Sequence, residues 1–333
     1  MCTKGAVLVQ QAGILGWGYY MPSQVLTNQD LEQMVDTSDE WIRTRTGILE
    51  RRIADHSDAT SDLAIAAARQ ALDRAKLDAA ELDLIMVATV TPDTSFPSTA
   101  CLVQTGLQAT RAAAFDLSAA CSGFIYGLFL AKSLINDGTV KNCLLVGAET
   151  LSRITDYQDR NTCVLFGDGA GAFVLGPSEE HTIRCVEIGA DGSGGQLLHL
   201  PAGGSRKPAS AETVSNHEHF IQMEGQEVFK FAISKVPEAS LQLLANNGLQ
   251  VADLDWFVPH QANKRIIDSV SKRLGIPQEK VVVNLQNYGN MSAASVPVAL
   301  AEAAEAGTFQ PGQRVLLAGF GGGLTWGTAI IEW

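Results

Sequence analysis

Cys121, His260 and Asn290 bring together a sulfur nucleophile, an imidazole and a carboxamide, and each stands where an apolar run gives way to a helical stretch. Cys121 follows the strand-like Ala113–Leu117 and precedes Ser122–Asn136, where Phe124, Ile125, Leu128, Phe129, Leu130 and Leu134 predict a helix buried on most sides. A thiol at that N-terminus meets unpaired N–H groups and the positive end of the helix dipole, which favours the thiolate. Any single cysteine is better read as inert and buried, so the reactive reading needs partners that converge on it. His260, in Val258-Pro259-His260-Gln261-Ala262-Asn263, sits at a strand end before a helix, where open α/β sheets hold their ligands; capping that helix is its bland alternative. Asn290, in Asn287-Tyr288-Gly289-Asn290-Met291-Ser292, precedes an alanine-rich helix, and asparagine is among the best N-caps. Pro297 falls inside that predicted helix, Met291–Ala306, and should kink it or remove a bond. Between the last two strands lies Gly319-Phe320-Gly321-Gly322-Gly323-Leu324-Thr325-Trp326-Gly327. Such a glycine run suits either a tight turn or a backbone that passes close enough to aim an amide at a developing oxyanion.

The elements that must position these groups alternate as in an α/β fold on largely parallel strands. Predicted strands are Leu84–Thr89, Ala113–Leu117, Leu144–Gly147, Ala170–Leu175, Trp256–Val258, Val315–Ala318 and Thr328–Ile331; further helices are Ser61–Lys76, Gln226–Asn246 and Lys264–Leu274. Gly192–His219, rich in Gly, Ser and Pro, reads as an irregular excursion. The chain also repeats itself. Leu72, Leu77, Ala80, Leu82 and Asp83 recur as Leu244, Leu249, Ala252, Leu254 and Asp255 at an offset of 172, whereas Gly138-Thr139 matches Gly307-Thr308 at 169. The repeat predicts a duplicated α/β fold with pseudo-twofold related halves, 1–180 carrying the cysteine and 181–333 carrying the histidine and asparagine, and it equates Cys121 with Asn290.

With 333 residues, 46% of them apolar and 18% charged, the chain is long enough for two domains and unlike a disordered or coiled-coil sequence. No apolar run reaches membrane-spanning length and Met1–Gly5 does not begin a signal peptide, so a cytoplasmic protein is expected. A net charge of −12 argues against nucleic acid and anionic membrane as partners. Six scattered cysteines without a C-x-x-C pair suggest neither a disulfide framework nor a zinc site, and His217 with His219 lacks a third ligand. Gly167-Asp168-Gly169-Ala170-Gly171-Ala172 imitates a dinucleotide fingerprint, but strand, not helix, follows it.

The chain resembles the β-ketoacyl-[acyl-carrier-protein] synthase III family of thiolase-like condensing enzymes. The resemblance runs from about Gly13 to the C-terminus. It is carried in order by Thr37-Ser38-Asp39-Glu40-Trp41-Ile42 with Arg45-Thr46-Gly47, by Ala119-Ala120-Cys121-Ser122-Gly123-Phe124, by Phe166-Gly167-Asp168-Gly169-Ala170-Gly171, by Pro259-His260-Gln261-Ala262-Asn263, by Asn287-Tyr288-Gly289-Asn290 and by Gly321-Gly322-Gly323-Leu324-Thr325-Trp326-Gly327. It implies a duplicated five-layer αβαβα fold, a homodimer, and a Cys121-His260-Asn290 triad. Elongating condensing enzymes use two histidines, so the asparagine points to the initiating branch. The implied reaction is acylation of Cys121 by a primer acyl-CoA, with the oxyanion held by the backbone N–H groups of Cys121 and Gly322. Decarboxylation of malonyl-acyl-carrier protein follows, assisted by His260 and Asn290, and attack on the acyl-cysteine then gives 3-ketoacyl product.

The resemblance further assigns CoA recognition to Trp41, Thr37, Arg45, Arg160, Gly225 and Asn263, with Gln226 departing from the usual Asn. Thr37 and Glu40 also fit a capping box. Phe96 matches the residue that closes the acyl pocket across the dimer, where its bulk favours a short primer such as acetyl. Docking of the acidic carrier protein falls to Lys230, Arg265, Lys272 and Arg273, three of which lie in a segment, 261–280, of net charge +3. No metal and no cofactor beyond the CoA thioester substrate is implied. A specialised homologue that transfers its acyl group to another acceptor, or serves secondary metabolism, is the nearest alternative; a noncatalytic acyl-binding homologue and a nicotinamide dehydrogenase are more distant ones.

Overall fold

The computed structural model describes residues 10–333, so Met1–Gly5 and Cys2 lie outside the described residues. Nine strands form one mixed sheet: β1 (Ala12–Tyr20), β2 (Leu84–Ala88), β3 (Ala113–Leu117), β4 (Cys143–Thr150), β5 (Asp168–Pro177), β6 (Thr182–Ala190), β7 (Trp256–Pro259), β8 (Arg314–Gly321) and β9 (Thr325–Glu332). Their order is β7-β8-β9-β6-β1-β5-β4-β2-β3. At the centre, β1 and β6 meet at the single pair Gly13–Thr182, so the sheet consists of two lobes. Within each lobe the inner strands run parallel (β2 with β3 and β4, β7 with β8) and the returning strand runs antiparallel. The principal helices are α1 (Asp39–Thr46), α2 (Thr60–Ala75), α3 (Thr99–Leu107), α4 (Gly123–Asn136), α5 (Gly225–Asn246), α6 (Lys264–Leu274) and α7 (Ser295–Glu305).

The three largest apolar clusters define five layers. The central one packs Phe124, Ile125 and Leu128 of α4 and Val296, Ala299 and Leu300 of α7 between the two lobes. Outer clusters bury α2 and α3 on the first lobe and α5 and α6 on the second. A helix apolar on most sides belongs in the middle layer, and α4 lies there, but Phe129 and Leu130, expected in the core, are exposed. Cys101 is half-buried, and Cys121, Cys143, Cys163 and Cys185 are buried free thiols.

Three expectations are corrected. The offset of 172 expected for the strands holds, β2 matching β7, but the starts of α4 and α7 also align at 172 and not at the expected 169. Ala120 and Ser292, both at left-handed φ (46° and 43°), are the matching residues, so the counterpart of Cys121 is Ala293, not Asn290. The offset of 169 arises because α7 is shorter, 11 residues against 14, before equivalent glycine ends at Gly138 and Gly307. Pro297 does not kink α7; as its third residue it lacks only an N–H that has no partner within the helix. The cap of α1 is Ser38, whose Oγ accepts from Trp41 N at 3.1 Å, and not Thr37.

β3 has its expected bounds, β2 ends one residue earlier, the other five expected strands run further, and β1 and β6 were not expected at all. The excursion after Gly192 folds back on itself, with Leu198–His199 pairing with Gln222–Met223.

Candidate active site

A short 3-10 turn, Ala120–Ser122, places Cys121 ahead of α4. The Thr325 hydroxyl ties this turn to β9 by donating to Ala119 O at 3.0 Å. The end of β8 passes so close that a Cβ on Gly321 would stand 2.6 Å from Cys121 N. The glycine run therefore serves close passage, as one of its two readings required. The Cys121 thiol donates to Ser292 Oγ at 3.4 Å. Burial pushes the thiol up to about 12, the Ser292 hydrogen bond lowers it and the nearby Glu149 carboxylate adds to the rise. The expected ease of ionisation is thus overturned for the unliganded site, where desolvation exceeds the help of the helix dipole.

His260 follows β7, its backbone N–H donating to Ala318 O at 2.7 Å. It does not cap α6; Asn263 does, accepting from Arg265 N at 2.8 Å. The ring is buried edge-on against Phe320 at 5.3 Å, and burial drops its pKa to about 3. Nδ1 is enclosed without a partner. An enclosed acceptor costs less than an enclosed unpaired N–H, so the proton belongs on Nε2, which makes that nitrogen a neutral donor.

Asn290 is clamped through its backbone, N to Leu165 O at 2.8 Å and O from Gly167 N at 3.0 Å. Its Oδ1 accepts from Ser292 N at 2.9 Å. Asn290 is not the expected cap of α7, which starts at Ser295 after Ala294; the Ser292 bond closes a local turn and leaves Nδ2 for the cavity that Asn290 lines. Arg51, fully buried, anchors the clamping segment by donating to Val164 O at 2.8 Å, as well as to Leu26 O and Asn28 Oδ1.

Cys121 lies between two cavities. One, of ≈ 230 Å³, is lined by Cys121, His260 and Asn290 at its floor and by Trp41, Arg45, Gly225, Asn263 and Arg265 towards its mouth. The other, of ≈ 210 Å³, is mostly apolar and is lined by Ala120, Cys121, Leu151, Ile154, Leu198 and Gly322 among others. Among the described residues the amide of Gly322 has no backbone acceptor. Arg160 stacks on Trp41 at 5.0 Å and donates to Asp36 O, and Thr37 Oγ1 is buried beside them without a partner. An aromatic ring with cations around it suits a nucleotide base with phosphates.

Phe96 is not brought to either cavity of its own chain and is 86% exposed. Lys230 is exposed and paired with Glu227, and Arg273 caps Ile233 O, both outside the cavities. Lys272 lies in the last turn of α6. His217 pairs with Asp156 and His219 with Thr213, and among the described residues no cluster could hold a metal ion. Sequence reasoning missed Glu149 and Ser292. The signal for Glu149 was a carboxylate two residues beyond an apolar run ended too early at Gly147.

Two family profiles match the chain, both described as 3-oxoacyl-[acyl-carrier-protein] synthase III, one over residues 115–192 and its C-terminal part over 244–333. A protein of Natranaerobius thermophilus called beta-ketoacyl-[acyl-carrier-protein] synthase III is 56% identical over 98% of this chain and 100% of its own. Among solved structures, 3-oxoacyl-[acyl-carrier-protein] synthase III of Aquifex aeolicus is 48% identical with a TM-score of 0.90, covering 97% of this chain and 100% of that one. The Thermus thermophilus enzyme is 46% identical with a TM-score of 0.89, covering 96% and 99%.

Proposed function

The chain belongs to the β-ketoacyl-[acyl-carrier-protein] synthase III family, and on that premise we propose how its own residues carry out the reaction. It is an acyltransferase, a thiolase-fold condensing enzyme that initiates fatty-acid synthesis. The observation that carries the residue assignment is that one sulfur stands between two cavities with two neutral donors on the wall beside it. Primer acyl-CoA enters by the cavity mouth, its adenine against Trp41, its nucleotide phosphates near Arg45, Arg160 and Thr37, and its pantetheine along Gly225 and Asn263. Cys121 attacks the thioester and CoA leaves, while the acyl chain occupies the apolar cavity. The Cys121 and Gly322 amides hold the oxyanion, a donor of that kind being worth about 3 kcal/mol.

Malonyl-acyl-carrier protein then takes the same entrance. His260 Nε2 and Asn290 Nδ2 donate to the thioester oxygen as carbon dioxide departs and enolate charge develops. The carbanion attacks acyl-Cys121 and releases 3-ketoacyl-carrier protein. A neutral imidazole suits this work, because it stabilises the enolate without surrendering a full charge.

The finer parts of the reading are these. The primer is short, acetyl above all, limited by Phe96 from the other subunit of a homodimer; the carrier protein docks on Lys230, Arg265, Lys272 and Arg273; the protein works in the cytoplasm and needs no cofactor or metal. The dimer reading is supported by β3, an edge strand with an open side and a 40% exposed Phe115. Product analysis with acetyl-, butyryl- and octanoyl-CoA against malonyl-carrier protein tests the reading. Acetyl-CoA should give the highest kcat/KM and Cys121→Ser no product. Preference for octanoyl-CoA would remove the short-primer assignment.

A further inference from the structure

Glu149, at the end of β4, is fully buried at the heart of the site. Its Oε2 accepts from Thr91 Oγ1 at 2.6 Å, from Thr89 Oγ1 at 3.2 Å and from Val90 N at 3.1 Å, and its Oε1 accepts from Ala293 N at 3.4 Å. The Ser292 hydroxyl stands near enough to this carboxylate to hold its pKa down, next to Ala293, whose N–H donates to Oε1. Ser292 Oγ in turn accepts from the Cys121 thiol at 3.4 Å. We propose that Glu149 takes the Cys121 proton through Ser292 during acylation, so that a Cys121–Ser292–Glu149 relay serves the first half-reaction and His260 with Asn290 serves the second.

Three observations carry this. Ser292 is held at φ 43°, a region costly for a residue with a side chain, by the bond from its N–H to Asn290 Oδ1. That backbone sets its hydroxyl on the Cys121 sulfur, one residue before the Ala293 N–H that holds the carboxylate. Among the described residues Glu149 joins no ion pair: the segment 89–91 and the turn before α7 give it hydroxyls and amides, β5 faces it with Gly169, and the start of α4 brings the Cys121 thiol, whose ionisation the carboxylate opposes. Burial raises Glu149 to about 7 despite those hydrogen bonds, whereas burial drops His260 to about 3, so Glu149 is the stronger base near the nucleophile.

The step balances. The thiol proton moves to Ser292 Oγ as the Ser292 proton moves to Glu149; sulfur forms its bond to the acyl carbon; the bond to CoA sulfur breaks; and the leaving thiolate recovers the proton by the reverse path. One negative charge is present throughout, which spares the dry site a second. Glu149 touches no substrate and is a positioning residue that reaches the sulfur only through Ser292.

This inference rests on the condensing function proposed above. Its test is single-turnover acylation of Cys121 by acetyl-CoA, followed by intact mass from about pH 5.5 to 9, with malonyl-carrier-protein decarboxylation measured alongside. In the unaltered protein, acylation should rise through an inflection near 7 and then level. Glu149→Gln should lose about 10²-fold at pH 8 together with that inflection, Ser292→Ala should match it, and the double variant should fall no further. Glu149→Asp should recover part of the rate, and decarboxylation should stay within about twofold in Glu149→Gln, since general-base loss is confined to acylation. If Glu149→Gln melts early, the Ser292→Ala profile decides. An unchanged inflection in either variant, or equal loss of both half-reactions, overturns the relay. Failure of the unaltered protein to acylate Cys121 overturns the condensing reading instead.

Discussion

At the scale of single residues, the site divides its labour by environment. Burial holds the His260 imidazole far below its ordinary pKa, at about 3, which suits the proposed neutral hydrogen-bond donor and not a proton shuttle. Decarboxylation should accordingly show no titration near 6.5, whereas acylation falls as the pH drops below 7; a decarboxylation rate that declines with an inflection near 6.5 would mean that His260 titrates. His260→Ala and Asn290→Ala should block decarboxylation by roughly 10²-fold or more while leaving self-acylation, as expected when one oxyanion donor is removed. Half-reaction assays check the split, and equal losses would contradict it. Cys121, His260 and Asn290 were legible because nucleophile, imidazole and carboxamide each lie at a strand-to-helix junction. Glu149 was not, because nothing in the run Cys143–Thr150 reveals that the turn before α7 lies over its end. The true cap, Ser38, was missed because Thr37 satisfies the same spacing rule one residue earlier.

At the scale of elements, close approach places Asn290 and Ser292. A Cβ on Gly147 of β4 would stand 2.3 Å from Ala293 O, so glycine there lets the turn before α7 lie directly on the strand. Gly147→Ala should cost at least about 1–3 kcal/mol, as overpacking does, and should reduce condensation by displacing both side chains. Urea unfolding beside product assay measures this, and unchanged stability would show that the turn has room to move. Arg51→Met removes three hydrogen bonds from a buried cation and should cost about 3 kcal/mol or more by the same measurement. The buried strands β2, β4 and β5 were legible as apolar runs. β1 and β6 were not, since Gly-Trp-Gly-Tyr-Tyr and Thr-Ile-Arg-Cys-Val-Glu interrupt the apolar pattern where the strands border the lobe junction. The repeat and its strand offset of 172 were legible; only the offset of 169 was read from helix ends, which the shorter α7 shifts by about one turn relative to the helix starts.

At the scale of the whole molecule, a chain of net charge −12 needs a local positive face to receive an acidic carrier protein. Lys272→Glu combined with Arg273→Glu should raise the KM for malonyl-carrier protein by about tenfold, since two charge reversals there act on encounter, and leave the acetyl-CoA half-reaction unchanged. Steady-state assays with each substrate varied measure this, and an equal effect on both would place docking elsewhere. Among the described residues the outer edge of β3 carries no paired strand, whereas that of β7 carries the single pair Phe257–Val281. Sedimentation should show a dimer, and Phe115→Lys should weaken it. The most direct test of the account is the mass of Cys121-containing peptide after mixing with acetyl-CoA and again after a chase with malonyl-carrier protein. The account predicts an acetyl adduct on Cys121 that is consumed into 3-ketoacyl product. An adduct that survives the chase, or one on another residue, would contradict it.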